Sequence, residues 1–327
     1  MNELTGIHHV TAITSSAEKI YDFFTYTLGV RLVKKTVNQD DIQTYHLFFA
    51  DDAGNPGTDM TFFDFPGIQK GVHGTNEISK TSFRVPSDAA LEYWVKRFDK
   101  FDVKHKGIQQ QFGKKVLPFV DFDDQQYQLI SDEFNEGVES GTPWQKGPIP
   151  LEFAITGLGP VHIRTSLFDH VKEMLEQVFL MKEIAQEEAF HLFEMGKGGN
   201  GAQVVVEYNT VLPQSRQGFG TVHHTAFRVE DREEIDAWQQ RLHGFQLPNS
   251  GFIDRYFFGS LYTRIAPSIL FELATDGPGF MGDEPYETLG EKLSLPPFFE
   301  SKRETIEGLV RPIDTVRSTK KIEKEYL

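Results

Sequence analysis

The feature that most constrains this chain is an internal repeat. FRVPSDAALEYWVKRFDKFDV, starting at Phe83, is matched by FRVEDREEIDAWQQRLHGFQL, starting at Phe227. Counted from each Phe, apolar residues fall at offsets 8, 11, 15, 18 and 20. They are Leu91, Trp94, Phe98, Phe101 and Val103 in one copy, and Ile235, Trp238, Leu242, Phe245 and Leu247 in the other. The first three offsets mark one face of an α-helix. Ser87 and Asp231 stand where N-cap residues belong, and the FRV before each reads as a strand.

Two further copies follow the same plan. In one, HHVTAI precedes the helix SAEKIYDFFTYTL, which ends at Gly29 and turns Ile20, Phe23, Phe24 and Leu28 inward. In the other, VHIRTSL precedes FDHVKEMLEQVFL, with Val171, Leu175 and Val178 inward. Short β-rich segments such as TYHLFFA, QVVVEYN and SILFELAT follow the helices. The plan is βαβββ, four times, with opening strands near His9, Lys80, His162 and His224. A unit with several strands and one helix cannot bury both faces of its sheet alone. Two units side by side make a curved sheet with helices outside and a concave inside.

This predicts an α+β chain of two such pairs. The N-terminal pair of modules takes 1–139, a Gly- and Pro-rich linker 140–155, the C-terminal pair 156–276, and a loop and tail 277–327. The tail ends in STKKIEKEYL, which reads as a solvated charge run. The length of 327 residues suits two domains.

Composition narrows the chemistry. The net charge of −15 opposes binding to nucleic acid or to an anionic membrane. The N-terminus MNELTGIHHV lacks a signal-peptide pattern, and no apolar run approaches the ~18 residues of a membrane span. A cytoplasmic protein is expected, and a homo-oligomer is compatible with the acidic surface. With no cysteine, disulfides, thiolate metal sites and Cys nucleophiles are excluded, so any metal must be held by His, Asp or Glu.

Two His-His pairs, His8-His9 and His223-His224, open the first strands of modules one and four. An isolated pair is ordinarily structural, but two pairs at equivalent repeat positions point to a shared task. Neighbours on a strand face opposite sides, so one imidazole of each pair should enter the concave face. In the last strand of module four, Glu272 lies between Phe271 and Leu273. The matching strand of module two has the neutral Gln128 there, and Lys80 where module four has His224. A plain alternative for Glu272 is a strand-edge pair with Arg255 or Arg264. Two imidazoles and a carboxylate, however, make the facial triad of mononuclear Fe(II) oxygenases, with positions left open for substrate and O2.

The segments GIHHVTAI, LGVRLVKKTVNQDD, GTVHHTAFRV, DRYFFGSLYTR, ILFELATDGPGF and LGEKLSLP resemble those of hydroquinone-type ring-cleaving dioxygenases of the vicinal-oxygen-chelate superfamily, the glyoxalase/bleomycin-resistance/dioxygenase fold. The resemblance runs from residue 6 to about 297. It implies that the four βαβββ modules form two half-barrel domains. It also implies that His9, His224 and Glu272 hold Fe(II), with Mn(II) as the other candidate metal, and that O2 is the co-substrate of a small dihydroxylated aromatic. With ligands in the first and last modules, and Lys80 and Gln128 where module two would carry its own, modules one and four are expected to share one curved sheet around the metal and modules two and three to form a metal-free partner. His8 and His223 would support the ligands. Arg255 and Tyr262 would lie beside the substrate, and Thr11 matches a family position two residues past the first ligand. In catechol-cleaving relatives the ligands come from modules three and four, which would substitute His162 for His9; the match over 6–13 favours His9. A glyoxalase-type lyase or isomerase and a non-enzymatic binder of aromatic compounds are the other activities this fold carries. GKGGNG at 196–201 lacks the ending of a phosphate loop and reads as a hairpin turn. His46, His73, His105, His170, His191 and His243 read as surface or structural.

Overall fold

A computed structural model describes residues 2–327. Module one comprises β1 (Ile7–Ile13), α1 (Ala17–Asp22), β2 (Arg31–Asn38), β3 (Asp41–Ala50) and β4 (Asp59–Phe63). Module two comprises β5 (Glu77–Val85), α2 (Asp88–Lys100), β6 (Gln109–Gln111), β7 (Lys114–Val120) and β8 (Gln126–Ser131). Module three comprises β9 (Gly157–Thr165), α3 (Phe168–Glu173), β10 (Lys182–Glu187), β11 (Phe190–Glu194) and β12 (Gln203–Tyr208). Module four comprises β13 (Thr221–Val229), α4 (Arg232–Gly244), β14 (Asn249–Asp254), β15 (Phe258–Ala266) and β16 (Ile269–Pro278), and a short helix α5 (Arg303–Leu309) follows. The fourfold βαβββ plan is present throughout.

The strands form two eight-stranded sheets, ordered β14-β15-β16-β13-β1-β4-β3-β2 and β10-β11-β12-β9-β5-β8-β7-β6. The first sheet therefore joins modules four and one through the antiparallel pair β13–β1. The second joins modules three and two through β9–β5. Each sheet takes one module from either side of residues 140–155.

Modules one and two, and modules three and four, meet through their helices instead. On α2, Leu91, Trp94 and Phe98 are fully buried, as are Ile235, Trp238 and Leu242 on α4. The predicted caps are made: Ser87 accepts from the Ala90 amide and Asp231 from the Glu234 amide. The helices of modules one and three end differently, in π turns at Phe23–Thr27 and Met174–Val178. The carbonyls at these turns are bound by an arginine of the next module. Arg97 donates to the Tyr26 and Thr27 carbonyls, each at 2.7 Å, and Arg241 donates to those of Gln177 and Val178. Charge at a helix C-terminus is favourable here because the unpaired carbonyls are concentrated there. Phe24 then packs on Phe49 and Phe62 of its own module and on Phe83 and Tyr127 of module two. A continuous apolar core runs through all four modules.

Two sequence expectations need correction. The 140–155 segment is packed: Trp144 and Ile149 are buried. The C-terminal segment is docked as well. Lys34, fully buried on β2, pairs with Asp283 and Glu284; Lys35 donates to Thr315; Arg317 donates to the Leu32 and Leu289 carbonyls. Glu325, in the stretch read as a solvated run, pairs with Lys100 and Arg97. The physical reason is β2, which ends its sheet: the tail covers the side of a strand that would otherwise be bare. The 196–201 segment lies in the loop of the β11–β12 hairpin, whose strands close with Glu194 opposite Gln203, as expected. A Cβ at Gly199 (φ +84°) would stand 1.9 Å from the Glu136 carbonyl oxygen, so only glycine fits.

Candidate metal centre

The site lies where modules one and four meet. Ile7 pairs with Phe227 and His9 with Ala226, so His8 is an extra residue on β1. Thr11 pairs with His224 and Ala12 with Val222, so His223 is an extra residue on β13. Each His-His pair thus carries a β-bulge, which re-aims side chains and breaks strict alternation. The expected segregation of each pair to opposite faces does not occur. His8 Nδ1 lies 2.9 Å from His9 Nδ1, and His223 Nδ1 lies 2.8 Å from His224 Nδ1.

These contacts set the tautomers. His8 Nε2 is 3.1 Å from the Thr275 carbonyl, which can only accept, so His8 Nε2 carries a proton. Burial, and then the neighbouring His9, pull His8 down to about 3, so its ring is neutral and Nδ1 is an acceptor. His9 Nδ1–H therefore donates to His8, which leaves the lone pair of His9 on Nε2. His223 is likewise neutral, pulled down to about 3 by burial and by His224.

His9 Nε2, His224 Nε2 and Glu272 Oε2 form a small triangle. The two imidazole nitrogens are 3.2 Å apart, and the carboxylate oxygen is 3.2 Å from His9 and 3.0 Å from His224. Ser260 donates to Glu272 Oε1 at 2.5 Å, yet Oε2 is buried and has no hydrogen bond of acceptable geometry. Burial alone would raise the Glu272 carboxyl, whereas positive charge at the His9 and His224 nitrogens, as protons or a shared cation, holds it well below its usual range. A buried anion facing two lone pairs needs a cation. With metal–nitrogen bonds of about 2.1 Å, donors at right angles stand ~3.0 Å apart and donors at the tetrahedral angle ~3.4 Å. The observed edges, 3.0–3.2 Å, lie between these two values, so one ion could be reached by all three atoms. These three residues can hold a metal, and among the described residues no other His, Asp or Glu joins the cluster.

A cavity of about 380 Å³ opens onto the triangle, a volume suited to a small molecule. Phe48, Phe63, Phe65, Phe257 and Phe258 supply its aromatic walls. Arg255 and Tyr262 reach it from module four. Arg255 Nε donates to the Tyr262 hydroxyl at 3.3 Å, and its Nη2 donates to Asp40 at 2.9 Å. Burial would lower the Arg255 guanidinium, but Tyr262 and Asp40 raise it on balance. Burial raises the Tyr262 hydroxyl, and Glu272 adds to the effect. Arg255 thus remains a cation and Tyr262 a protonated donor.

Thr11 is fully buried behind the cavity. Its hydroxyl is 2.7 Å from that of Thr61, which is 2.9 Å from His46 Nε2. His46 does line the cavity, so the reading of it as merely surface or structural is incomplete. Burial, then His9, His224 and Arg255, keep its imidazole neutral. The sequence signal was faint: one histidine in TYHLFFA, whose neighbour across the sheet, Phe63, becomes known only from the register. His162 lies in the second sheet, hydrogen-bonded to Gln128 and away from the triangle.

Comparison with known proteins agrees with this architecture. Residues 6–125 match the model of the Glyoxalase/Bleomycin resistance protein/Dioxygenase superfamily. The chain is 42% identical to MhqA of Bacillus subtilis (strain 168), provisionally named a ring-cleaving dioxygenase, over 95% of this chain and 99% of that one. It is 30% identical to a chlorohydroquinone/hydroquinone 1,2-dioxygenase of Sphingobium indicum, over 92% and 94% of the two chains. Among solved structures, one provisionally named a dioxygenase from Bacillus subtilis superposes with a TM-score of 0.89 at 34% identity, covering 97% of this chain and all of that one. Glyoxalase I from Zea mays shares the fold, with a TM-score of 0.59 at 13% identity over 83% of this chain and 92% of that one.

Proposed function

Since the chain belongs to the ring-cleaving dioxygenases of the Glyoxalase/Bleomycin resistance protein/Dioxygenase superfamily, we propose that it is an Fe(II)-dependent enzyme that opens a hydroquinone-type ring with O2. The observation that carries the reading is the triangle of His9, His224 and Glu272 at the floor of a phenylalanine-walled cavity. Mn(II) meets the same donor set. A glyoxalase-type site usually adds a fourth side-chain ligand, and the three-membered cluster favours the dioxygenase reading.

Fe(II), when bound, supplies Lewis acidity toward a phenolic oxygen and one-electron chemistry toward O2. The protein's own groups do the rest. The phenylalanine walls take a flat ring and exclude water, which strengthens every charge interaction inside. Tyr262 accepts a hydrogen bond from Arg255, so its own O–H is free to point at substrate oxygen. Arg255 stabilises negative charge that develops there. With His224 Nε2 facing the metal, His224 Nδ1–H donates to His223, and His223 Nε2 remains as an N–H beside the cavity. His8 positions His9 and, being locked on the Thr275 carbonyl, does not reach substrate. His46 is bound to a hydroxyl pair that can turn either way, so it can accept or return a proton at an imidazole nitrogen. The ring opens between a hydroxylated carbon and its neighbour, and the product keeps every atom of ring and O2.

Metal analysis and hydroquinone-dependent oxygen uptake on one preparation test the proposal. Iron at one per chain with uptake that stops on chelation and returns with Fe(II) is the expected result. An iron-loaded protein that consumes no oxygen with hydroquinone would refute the substrate class.

A further inference from the structure

The second sheet encloses a larger cavity, of about 1030 Å³, at the place that corresponds to the metal centre. The correspondence is one of register. Glu272 pairs with Ala226, two residues after His224, and Gln128 pairs with Ser82, two residues after Lys80. Lys80 in turn pairs with His162, the counterpart of His9 in module three. Where the first sheet offers two imidazoles and a carboxylate, the second offers an ammonium, an amide and an imidazole.

These three groups are wired together. Lys80 Nζ donates to Gln128 Oε1 at 2.9 Å, and Gln128 Nε2 donates to His162 Nε2 at 3.0 Å. Burial holds His162 neutral, with Lys80 and Arg164 adding to the effect, so it can accept that bond. Gln128 is the single acceptor bonded to Lys80 Nζ among the described residues, and no carboxylate there pairs with it. Glu207, the nearby acid, is engaged by Arg164 at 2.7 Å. Burial pulls the Lys80 ammonium down to about 8, Glu207 opposing and Lys106 and Arg164 adding. A partly buried cation with unused N–H groups thus faces a cavity whose walls include Val116, Phe119 and Phe190.

We propose that this second half-barrel is a metal-free binding site for a small planar carboxylate, anchored by Lys80 with Gln128 and His162 behind it. The fixed ammonium takes the place that a metal takes in the other sheet. A carboxylate bound there would restore the charge balance that burial disturbs, and the aromatic side walls would take an unsaturated or aromatic body. The ligand could be an aromatic acid or a ring-opened unsaturated acid, since both present the same group. The proposal stands independently of the activity proposed for the first sheet.

Calorimetric titration of the full-length, iron-loaded protein with benzoate and with cis,cis-muconate separates these sources and tests the site. One site per chain is expected for at least one of the two acids, and the tighter acid identifies the source. Lys80→Met should weaken it by about tenfold or more. Gln128→Glu should do the same by giving Lys80 an internal partner, and it guards against a folding defect in the first variant. Glu272→Gln, which touches only the other sheet, should leave binding intact, and Lys80→Met should keep its hydroquinone-dependent oxygen uptake. Binding that is unchanged in both Lys80→Met and Gln128→Glu, binding lost in Glu272→Gln alone, or no binding of either acid would overturn the proposal.

Discussion

His9 Nε2 and His224 Nε2 stand 3.2 Å apart on antiparallel strands drawn from opposite ends of the chain, with the Glu272 carboxylate within 3.2 Å of both. Three lone-pair atoms this close repel unless something positive lies among them. Glu272→Gln keeps the shape and removes the charge, so iron content should fall while the fold is retained. His9→Ala and His224→Ala should behave alike. Iron retained at one per chain in all three variants, measured by plasma emission, would remove the triangle from the proposed function.

Arg255 and Tyr262 touch each other and the cavity, but neither belongs to the triangle. Tyr262→Phe and Arg255→Lys should therefore keep iron and lose turnover, by ~10²–10³ for loss of one donor aimed at developing charge. Lysine keeps the charge but not the planar fork that bridges Tyr262 and Asp40, so it should rescue only in part. If both variants instead keep full oxygen uptake, Arg255 is only the partner of Asp40 and Tyr262 only a packing residue.

His8 should act through His9. Replacing it by Leu removes the acceptor for His9 Nδ1–H, and metal affinity should fall by ~10–100-fold. His8→Gln offers an oxygen to His9 and an N–H to the Thr275 carbonyl, so it should recover part of the loss. Competition with a chelator of known affinity reads both. Equal losses in the two variants would argue that His8 only fills space.

His46 packs against Phe48 and Phe63, so His46→Phe should preserve the cavity wall. Iron should stay bound while kcat drops by ~10² or more, the loss typical of a missing proton-transfer group. Unchanged kcat would leave His46 as a wall residue alone.

Arg97 tests the fold rather than the site. Its fully buried guanidinium binds the Tyr26 and Thr27 carbonyls and reaches Glu325. Arg97→Met should cost about 2–4 kcal/mol of stability, because charged hydrogen bonds are lost and the carbonyls stay buried. Denaturant unfolding gives the stability, and iron per folded chain should be unchanged. A loss of iron as well would mean that the helix clasp also shapes the metal centre.

The repeat was legible because helix and strand periodicities are local. Leu91, Trp94 and Phe98 lie on one face whatever surrounds them, and Ser87 can cap its helix without a distant partner. The members of the candidate cluster were legible for a related reason: a cysteine-free chain with histidine pairs at equivalent repeat positions and an acid among apolar neighbours leaves few ways to hold a metal. The pairing of modules one with four and two with three was expected from the placement of the candidate ligands in the first and last modules, but the strand registry that makes it, between residues more than 200 apart in the first sheet such as Thr11 and His224, was decided only in the assembled sheets. The bulges at His8 and His223 are likewise visible only against a partner strand. They turn neighbouring imidazoles toward each other where simple alternation would part them. His46 entered the cavity because β3 pairs with β4, and the C-terminal tail docked because β2 ends its sheet. In each case the deciding energy is a long-range hydrogen bond or a buried contact, which a single strand's pattern does not encode.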